Sequence, residues 1–128
     1  MTDRAVRITT LVENRPSPDD PALVAEWGLS QCVELDGRRV LFDMGASDAF
    51  ARNAERLGID IGAIDAAILS HHHYDHGGGL RRFLELNDHA PIYLGEAPEG
   101  APTARLFGLI RKYIGLDRAL LEEHAARF

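Results

Sequence analysis

The chain has 128 residues and a mass of 14.1 kDa, room for one domain and too little for any fold that needs about 200 residues or more. Hydrophobic residues make up 45% and charged residues 27%, the balance of a globular chain with a core and not of a disordered tail or a fibre. Fourteen Lys and Arg against twenty Asp and Glu give a formal charge of -6 with no basic cluster, so nucleic acid is not an expected partner.

Val6 to Val12 is β-branched and apolar with little polar interruption, which predicts a strand buried on at least one face. Asn14 to Asp20, with Pro16 and Pro18, breaks regular structure and reads as a long loop. Leu29 to Leu35 alternates as a strand, Asp36-Gly37 follows where a two-residue hairpin turn belongs, and Arg39 to Asp43 is the returning strand. Ser47 or Asp48 caps a helix carrying Phe50, Ala51, Ala54 and Leu57 on its apolar face, and Gly58 ends it. Ala66 to Leu69 is a short apolar run. After Gly77-Gly78-Gly79, the spacing of Leu80, Phe83 and Leu84 predicts a helix stopped by Asn87, and Pro91 to Leu94 a further strand. A loop from Gly95 to Pro102 precedes a helix marked by Leu106, Phe107, Ile110 and Tyr113. Asp117 caps a last helix with Leu120, Leu121, Ala125 and Phe128. Strands first, then strand and helix alternating, define an α/β or α+β class.

The single cysteine, Cys32, excludes an internal disulfide and a four-cysteine zinc knot. The N-terminus has no basic segment leading into an apolar one, and no run approaches the roughly 18 apolar residues of a membrane span. A cytoplasmic protein with no membrane partner is expected.

Four of the six histidines fall within His71-His72-His73-Tyr74-Asp75-His76. In an extended segment His71, His73 and Asp75 share one side while His72 and Tyr74 face the other. His76 reaches the same site by a change of direction, which the three following glycines permit through backbone conformations closed to other residues. The expected ligand pairs are His71 with His73 and Asp75 with His76. Imidazole and carboxylate suit zinc, although iron and manganese accept the same donors. Bound water then loses its proton near pH 7, and two ions some 3.5–4 Å apart can share the resulting hydroxide. Hydrolysis is the natural reaction class. A helix starting near Gly79 would point its first amides at the same region and favour an anionic group on the substrate. An affinity tag does not fit an internal cluster interrupted by Tyr74 and Asp75, and a surface histidine patch does not account for the strand–ligand–glycine order.

Ile68-Leu69-Ser70-His71-His72-His73-Tyr74-Asp75-His76-Gly77-Gly78-Gly79-Leu80 resembles the H-x-H-x-D-H signature of the metallo-β-lactamase superfamily. The resemblance extends to Val40-Leu41-Phe42-Asp43-Met44-Gly45, with Met44 where that family usually has Thr, and to Leu57-Gly58-Ile59-Asp60 and Ile64-Asp65, about residues 6 to 95 in all. Leu11-Val12-Glu13-Asn14 and Trp27-Gly28-Leu29-Ser30 are further similar to the branch of the dihydropterin ribofuranosylaminobenzene phosphate synthases. The resemblance implies the N-terminal half of an αββα sandwich, a mixed sheet with flanking helices. It implies His71 and His73 on a first zinc ion, Asp75 and His76 on a second, and Asp75 orienting or deprotonating the attacking water. Asp43 would hold a ligand histidine through its other ring nitrogen, the alternative being a simple strand-terminal turn former.

The family's complete site takes a third histidine, a bridging aspartate and a further histidine from a second half of the fold. His89 reads as a solvated loop residue and His124 as a packing or surface residue. One sheet alone would also leave its inner apolar face wet. The expectation is therefore one incomplete domain, residues 1–128, with the other half supplied by further chain, in trans or by a second copy. The expected function is a metal-dependent hydrolase whose metal-bound hydroxide attacks an ester, phosphoester or similar bond of a small anionic metabolite. Alternatives are a non-catalytic metal-binding or assembly fragment and an RNA-processing nuclease, the latter disfavoured by the acidic balance.

Overall fold

The computed structural model describes residues 4–96, 103–106 and 110–128. Five strands, β1 (Val6–Val12), β2 (Ser30–Leu35), β3 (Arg38–Phe42), β4 (Ala66–Leu69) and β5 (Ile92–Leu94), form one mixed sheet in that spatial order. β1 to β3 are antiparallel neighbours, and β4 and β5 continue the sheet in parallel. Asp36 and Gly37 both have positive φ, 51° and 76°, between the paired residues Leu35 and Arg38. That is the turn whose twist suits a two-residue hairpin. Parallel neighbours need long crossovers. These are made by α1 (Ala49–Arg56) between β3 and β4, and by α2 (Tyr74–Gly77) and α3 (Leu80–Leu86) between β4 and β5.

The helices decide which sheet face is dry. Cys32, Leu41, Ala67 and Ile92 stand side by side across four strands, all buried. Phe50 and Ala54 of α1 and Leu80 and Phe83 of α3 join the same core. Truncating either phenylalanine to alanine would cost about 3–5 kcal/mol. Burial also raises the Cys32 thiol above its ordinary pKa, so it packs as a small apolar group.

The opposite face is apolar and open. Ile8, Val33, Val40 and Ala66 form one cross-strand row, and Thr10, Gln31, Phe42, Ile68 and Tyr93 the next. Ile8 and Tyr93 are 60% and 61% exposed. β1 thus departs from its predicted burial. It is the edge strand, and only Leu11 and Val12 enter the core, because Val6 and Ile8 lie on the uncovered face.

The long segment between β1 and β2 is irregular, as predicted, and is pinned to α1 by one buried amide. Asn53 donates from Nδ2 to the carbonyls of Leu11 (2.7 Å) and Val24 (2.8 Å) and accepts at Oδ1 from the Val24 amide (2.9 Å). The same segment is held to the start of α1 by Glu26, which accepts from the Ala46 and Ser47 amides and from the Ser47 hydroxyl.

One predicted element is wrong. The helix marked by Leu106, Phe107, Ile110 and Tyr113 is replaced by strands β6 (Thr103–Leu106) and β7 (Ile110–Tyr113), paired antiparallel from Thr103 with Tyr113 to Leu106 with Ile110. Gly108 inside such a helix would cost about 1 kcal/mol. Thr103, Ile110 and Tyr113 are instead types that favour pleated structure. Phe107 and residues 97–102 of the predicted loop lie outside the described residues. The last helix, α4 (Arg118–Glu123), is capped by Asp117, whose carboxylate accepts from the Leu120 amide, and it tightens into a 3-10 turn over Ala125–Arg127. No helix among the described residues is long and apolar enough to cross a membrane.

Candidate metal centre

The histidine cluster begins where β4 ends, at the carboxyl edge of the sheet. The chain stays extended through His73 (φ -98°, ψ 146°) and then winds into α2, so the predicted extended run to Asp75 stops two residues early. Alternation holds as far as it goes. His71 and His73 lie edge to face with ring centroids 4.6 Å apart, while His72 turns away and its Nε2 meets the Gly95 carbonyl at 2.7 Å. The helical turn then carries Asp75 and His76 back toward His71, whose ring is 4.3 Å from that of His76. One ligand atom each of His71, Asp75 and His76 lies within 4.8 Å of the others. His71, Asp75 and His76 thus form a trio, with His73 beside His71. The reason is the helical turn, which replaces two-residue alternation by one-residue steps of about 100°.

The donor set suits a borderline divalent cation such as zinc. Ligand atoms at about 2.0–2.2 Å from one ion stand at most about 4.4 Å apart. A trio gathered within 4.8 Å needs only small side-chain adjustments to meet that limit.

Asp43 lies beneath this turn, fully buried at the end of β3 with φ 59°, a conformation that costs a non-glycine residue roughly 1–2 kcal/mol. The strain is fixed by its neighbours: the Asp43 amide donates to the Ile68 carbonyl (2.9 Å) and the Met44 amide to the His76 carbonyl (2.7 Å). Its carboxylate accepts from the Ser70 amide at Oδ1, and from the Ser70 hydroxyl and His76 Nδ1 at Oδ2, each at 2.7 Å. Turn former and histidine holder are therefore not alternatives for Asp43; its geometry does both.

These bonds assign ring protons. His76 Nδ1 must carry the hydrogen it donates to Asp43, which leaves the lone pair on Nε2. The Ser70 hydroxyl has one hydrogen and gives it to Asp43, so His71 Nδ1, 2.8 Å from Ser70 Oγ, must be a donor as well. One carboxylate thereby turns the Nε2 lone pairs of two histidines outward. Burial, reinforced by the adjacent His76 and His73 rings, pushes His71 below the ordinary imidazole pKa, the direction that favours the neutral ring a cation requires. Ser70 is the member of this hydrogen-bond network that the sequence reading misses. Its signal is its place between an apolar strand and the first ligand, where a hydroxyl can reach both a buried acid and the next ring.

The three glycines after His76 act differently from the expectation. None has positive φ; Gly78 is helical at -66°, -24°. A Cβ at Gly78 would lie 2.3 Å from the Ala46 carbonyl oxygen, and one at Gly79 2.4 Å from that of Met44. Gly78 and Gly79 are close-approach glycines that let α2 and α3 seat on the Asp43–Ser47 turn, whereas a Cβ at Gly77 would meet the Leu116 side chain at 2.3 Å. For the same reason the start of α3 packs closely on Met44 and Phe50.

His89 pairs with the neighbouring Asp88 (3.1 Å), and His124 closes α4; neither belongs to the trio.

A mixed sheet with helices on one face and imidazole and carboxylate groups gathered beyond its parallel strands is one half of the sandwich of metal-dependent hydrolases. The chain belongs to the metallo-β-lactamase superfamily, whose family profile matches residues 29–122. It is 34% identical over 94 residues to a 7,8-dihydropterin-6-methyl-4-(beta-D-ribofuranosyl)-aminobenzene-5'-phosphate synthase of Methanocaldococcus jannaschii, covering 69% of this chain and 32% of that protein. This agrees with the branch suggested by Leu11–Asn14 and Trp27–Ser30. A hydroxyacylglutathione hydrolase of Xanthomonas campestris is 34% identical over 122 residues, covering 91% and 42%. Among solved structures, Tm1679, a metal-dependent hydrolase of the β-lactamase superfamily, matches with a TM-score of 0.59 and 29% identity, covering 92% of this chain and 40% of that one. The chain thus spans about a third to two fifths of the length of these relatives.

Proposed function

We propose that the chain carries the metal-binding turn of a hydrolase, with His71, His73, Asp75 and His76 holding divalent metal, zinc by preference and two ions in a complete site. Asp75 is the base toward water, and Asp43 and Ser70 hold the histidines. The observation that carries this reading is the convergence of His71, Asp75 and His76 with both Nε2 lone pairs free. When bound, the metal supplies Lewis acidity and brings the pKa of water down toward 7. The residues of the chain do the rest. Asp75, with Oδ2 3.6 Å from His76 Nε2, orients the water and takes its proton. Asp43 keeps the His76 proton on Nδ1 throughout.

The substrate proposed is a small anionic metabolite with an ester, phosphoester or related bond. One relative bears the name of a hydrolase of an acylated glutathione and another that of a synthase of a phosphorylated dihydropterin compound, which supports this class. The remaining ligands would come from a second sheet seated on the open face, in further chain or in a second copy.

A second reading, metal binding without turnover, is favoured by one observation: the chain spans only 32% of the first of these relatives. Metal analysis and hydrolysis of bis(4-nitrophenyl) phosphate and a thioester separate the two. The proposal expects metal in the purified protein, at least about tenfold weaker binding in His71→Ala, and turnover abolished by chelation and lowered about 10²–10⁴-fold in Asp75→Ala. Metal without turnover supports the second reading; no metal defeats both.

A further inference from the structure

The metal-binding turn is also held by a segment from the C-terminal part of the chain. α2 is only four residues long, too short to hold itself, and its first amide has no partner within it. The Tyr74 amide donates instead to the Ile114 carbonyl (2.8 Å), and His73 pairs antiparallel with Gly115 in an isolated bridge. Leu116, 3% exposed, closes on the other end of the same turn, where a Cβ at Gly77 would lie 2.3 Å from its Cδ2. The two grips bracket α2, and Asp75 and His76 stand between them.

This segment is itself braced. The Tyr113 hydroxyl donates to the Leu116 carbonyl (2.6 Å), and the Arg118 guanidinium lies 5.7 Å over the Tyr113 ring. Asp117 caps α4 through Oδ1 and pairs through Oδ2 with Arg81 of α3 (3.1 Å). That exposed pair adds little by itself. Past α4, however, Arg127 donates to the carbonyls of Asn87 and Ala90 and so fixes the C-terminal segment to the end of α3. Ile114, Gly115 and Leu116 have no side chain that can ligate a cation. Any effect they have on a metal ion passes through the turn they grip.

We propose that Tyr113–Leu116 is a strap that sets the metal-binding turn before a cation arrives, with Leu116 as its positioning residue. The inference rests on the metal-centre reading and goes beyond it, because affinity for the cation then depends on a segment that contributes no ligand. A turn already wound spares the cation the ordering of Asp75 and His76, as preorganised sites do. The coupling is reciprocal. The factor by which the docked strap tightens metal binding is the factor by which metal tightens the strap.

The test compares Leu116→Ala with Leu120→Ala, which truncates a leucine of similar burial (4% exposed) in α4, outside the strap. Both should lower the Tm of the metal-free protein. Zinc affinity, read by competition with a chromogenic chelator where both variants are folded, should fall about tenfold in Leu116→Ala and stay within about twofold of wild type in Leu120→Ala. Leu116→Met, which refills the space, should restore most of the loss. Tyr113→Phe leaves the core intact, removes only the hydroxyl bond to Leu116, and should weaken zinc binding about threefold. Hydrogen exchange at the Tyr74 amide reports the strap directly. In metal-free protein it should quicken about tenfold in Leu116→Ala, and saturating zinc should slow it in the wild type by about the same factor. Equal zinc affinity in wild type, Leu116→Ala and Tyr113→Phe, or Tyr74 exchange unchanged by Leu116→Ala, would overturn the strap and leave the metal ligands as assigned. A wild-type chain that takes up no zinc, with the Tyr74 response to Leu116→Ala intact, would overturn the metal-centre reading and keep the strap's hold on the turn.

Discussion

Asp43→Asn should strip the metal centre while leaving most of the fold in place. The replacement has the same shape, but half of its head group donates where a carboxylate only accepts. Three donors converge there: the Ser70 amide, the Ser70 hydroxyl and His76 Nδ1. The side-chain oxygen must stay with the Ser70 amide, which cannot reverse its role. The side-chain NH₂ then faces His76 Nδ1 and Ser70 Oγ, and both must become acceptors. His76 moves its proton to Nε2. Ser70 turns its hydroxyl hydrogen toward His71 Nδ1, so His71 also protonates Nε2. Two nitrogens that offered lone pairs to a cation now present hydrogens to it. Zinc affinity should fall about 10–100-fold, measured by competition with a chromogenic chelator. Stability of the metal-free protein should fall by only about 1–3 kcal/mol. Asp43→Ala should lose more stability, because it leaves all three donors buried without a partner. Wild-type zinc affinity in Asp43→Asn would mean that the buried carboxylate does not set the ring protons.

Gly28→Ala should be among the most damaging single changes outside the core. Gly28 has φ 149°, and a Cβ there would lie 2.3 Å from the Asp75 carbonyl oxygen and 3.3 Å from the Gly45 Cα. Both obstacles are backbone and cannot rotate aside, so relief requires lifting the β1–β2 segment off the metal-binding turn. The expected loss is about 3 kcal/mol, read as a Tm lower by roughly 10 °C, with weaker metal binding in step. Gly37→Ala is the control. It also has positive φ, 76°, but no atom within 4 Å of the added carbon, so it should cost only the roughly 1–2 kcal/mol of the backbone conformation and leave metal binding unchanged. Equal effects of the two would show that the contact with Asp75 is unimportant.

What can be read in the residues divides along physical lines. The β2–β3 hairpin is legible because Asp36-Gly37 specifies its turn locally and the flanking alternation agrees. The histidine cluster is legible because histidine is a rare residue type, and four of the six in the chain fall within six positions. Asp43 stands out by its place at a strand end, yet its reach to Ser70 and His76, 27 and 33 residues away, depends on a parallel pairing that no local pattern encodes. The purpose of Gly78 and Gly79 is hidden for the same reason. Tight contact with Ala46 and Met44 is a tertiary fact, whereas the residue type by itself points only to a glycine's freedom of φ. β6 and β7 read as a helix because apolar spacing of three and four residues is also produced by a short hairpin. The open face of the sheet, by contrast, is foreseeable from the sandwich that the resemblance implies, in which helices cover one side of this sheet and a second sheet the other.

The central claim, that His71, His73, Asp75 and His76 hold divalent metal, is tested most directly by zinc K-edge absorption on the zinc-loaded chain, paired with a His71→Ala, His76→Ala double variant. At least two imidazole nitrogens at about 2.0–2.1 Å in the wild type, and loss of that signal with the bound zinc in the variant, are the predicted result. Undiminished zinc with the same imidazole shell in the variant would place the ion elsewhere and contradict the account.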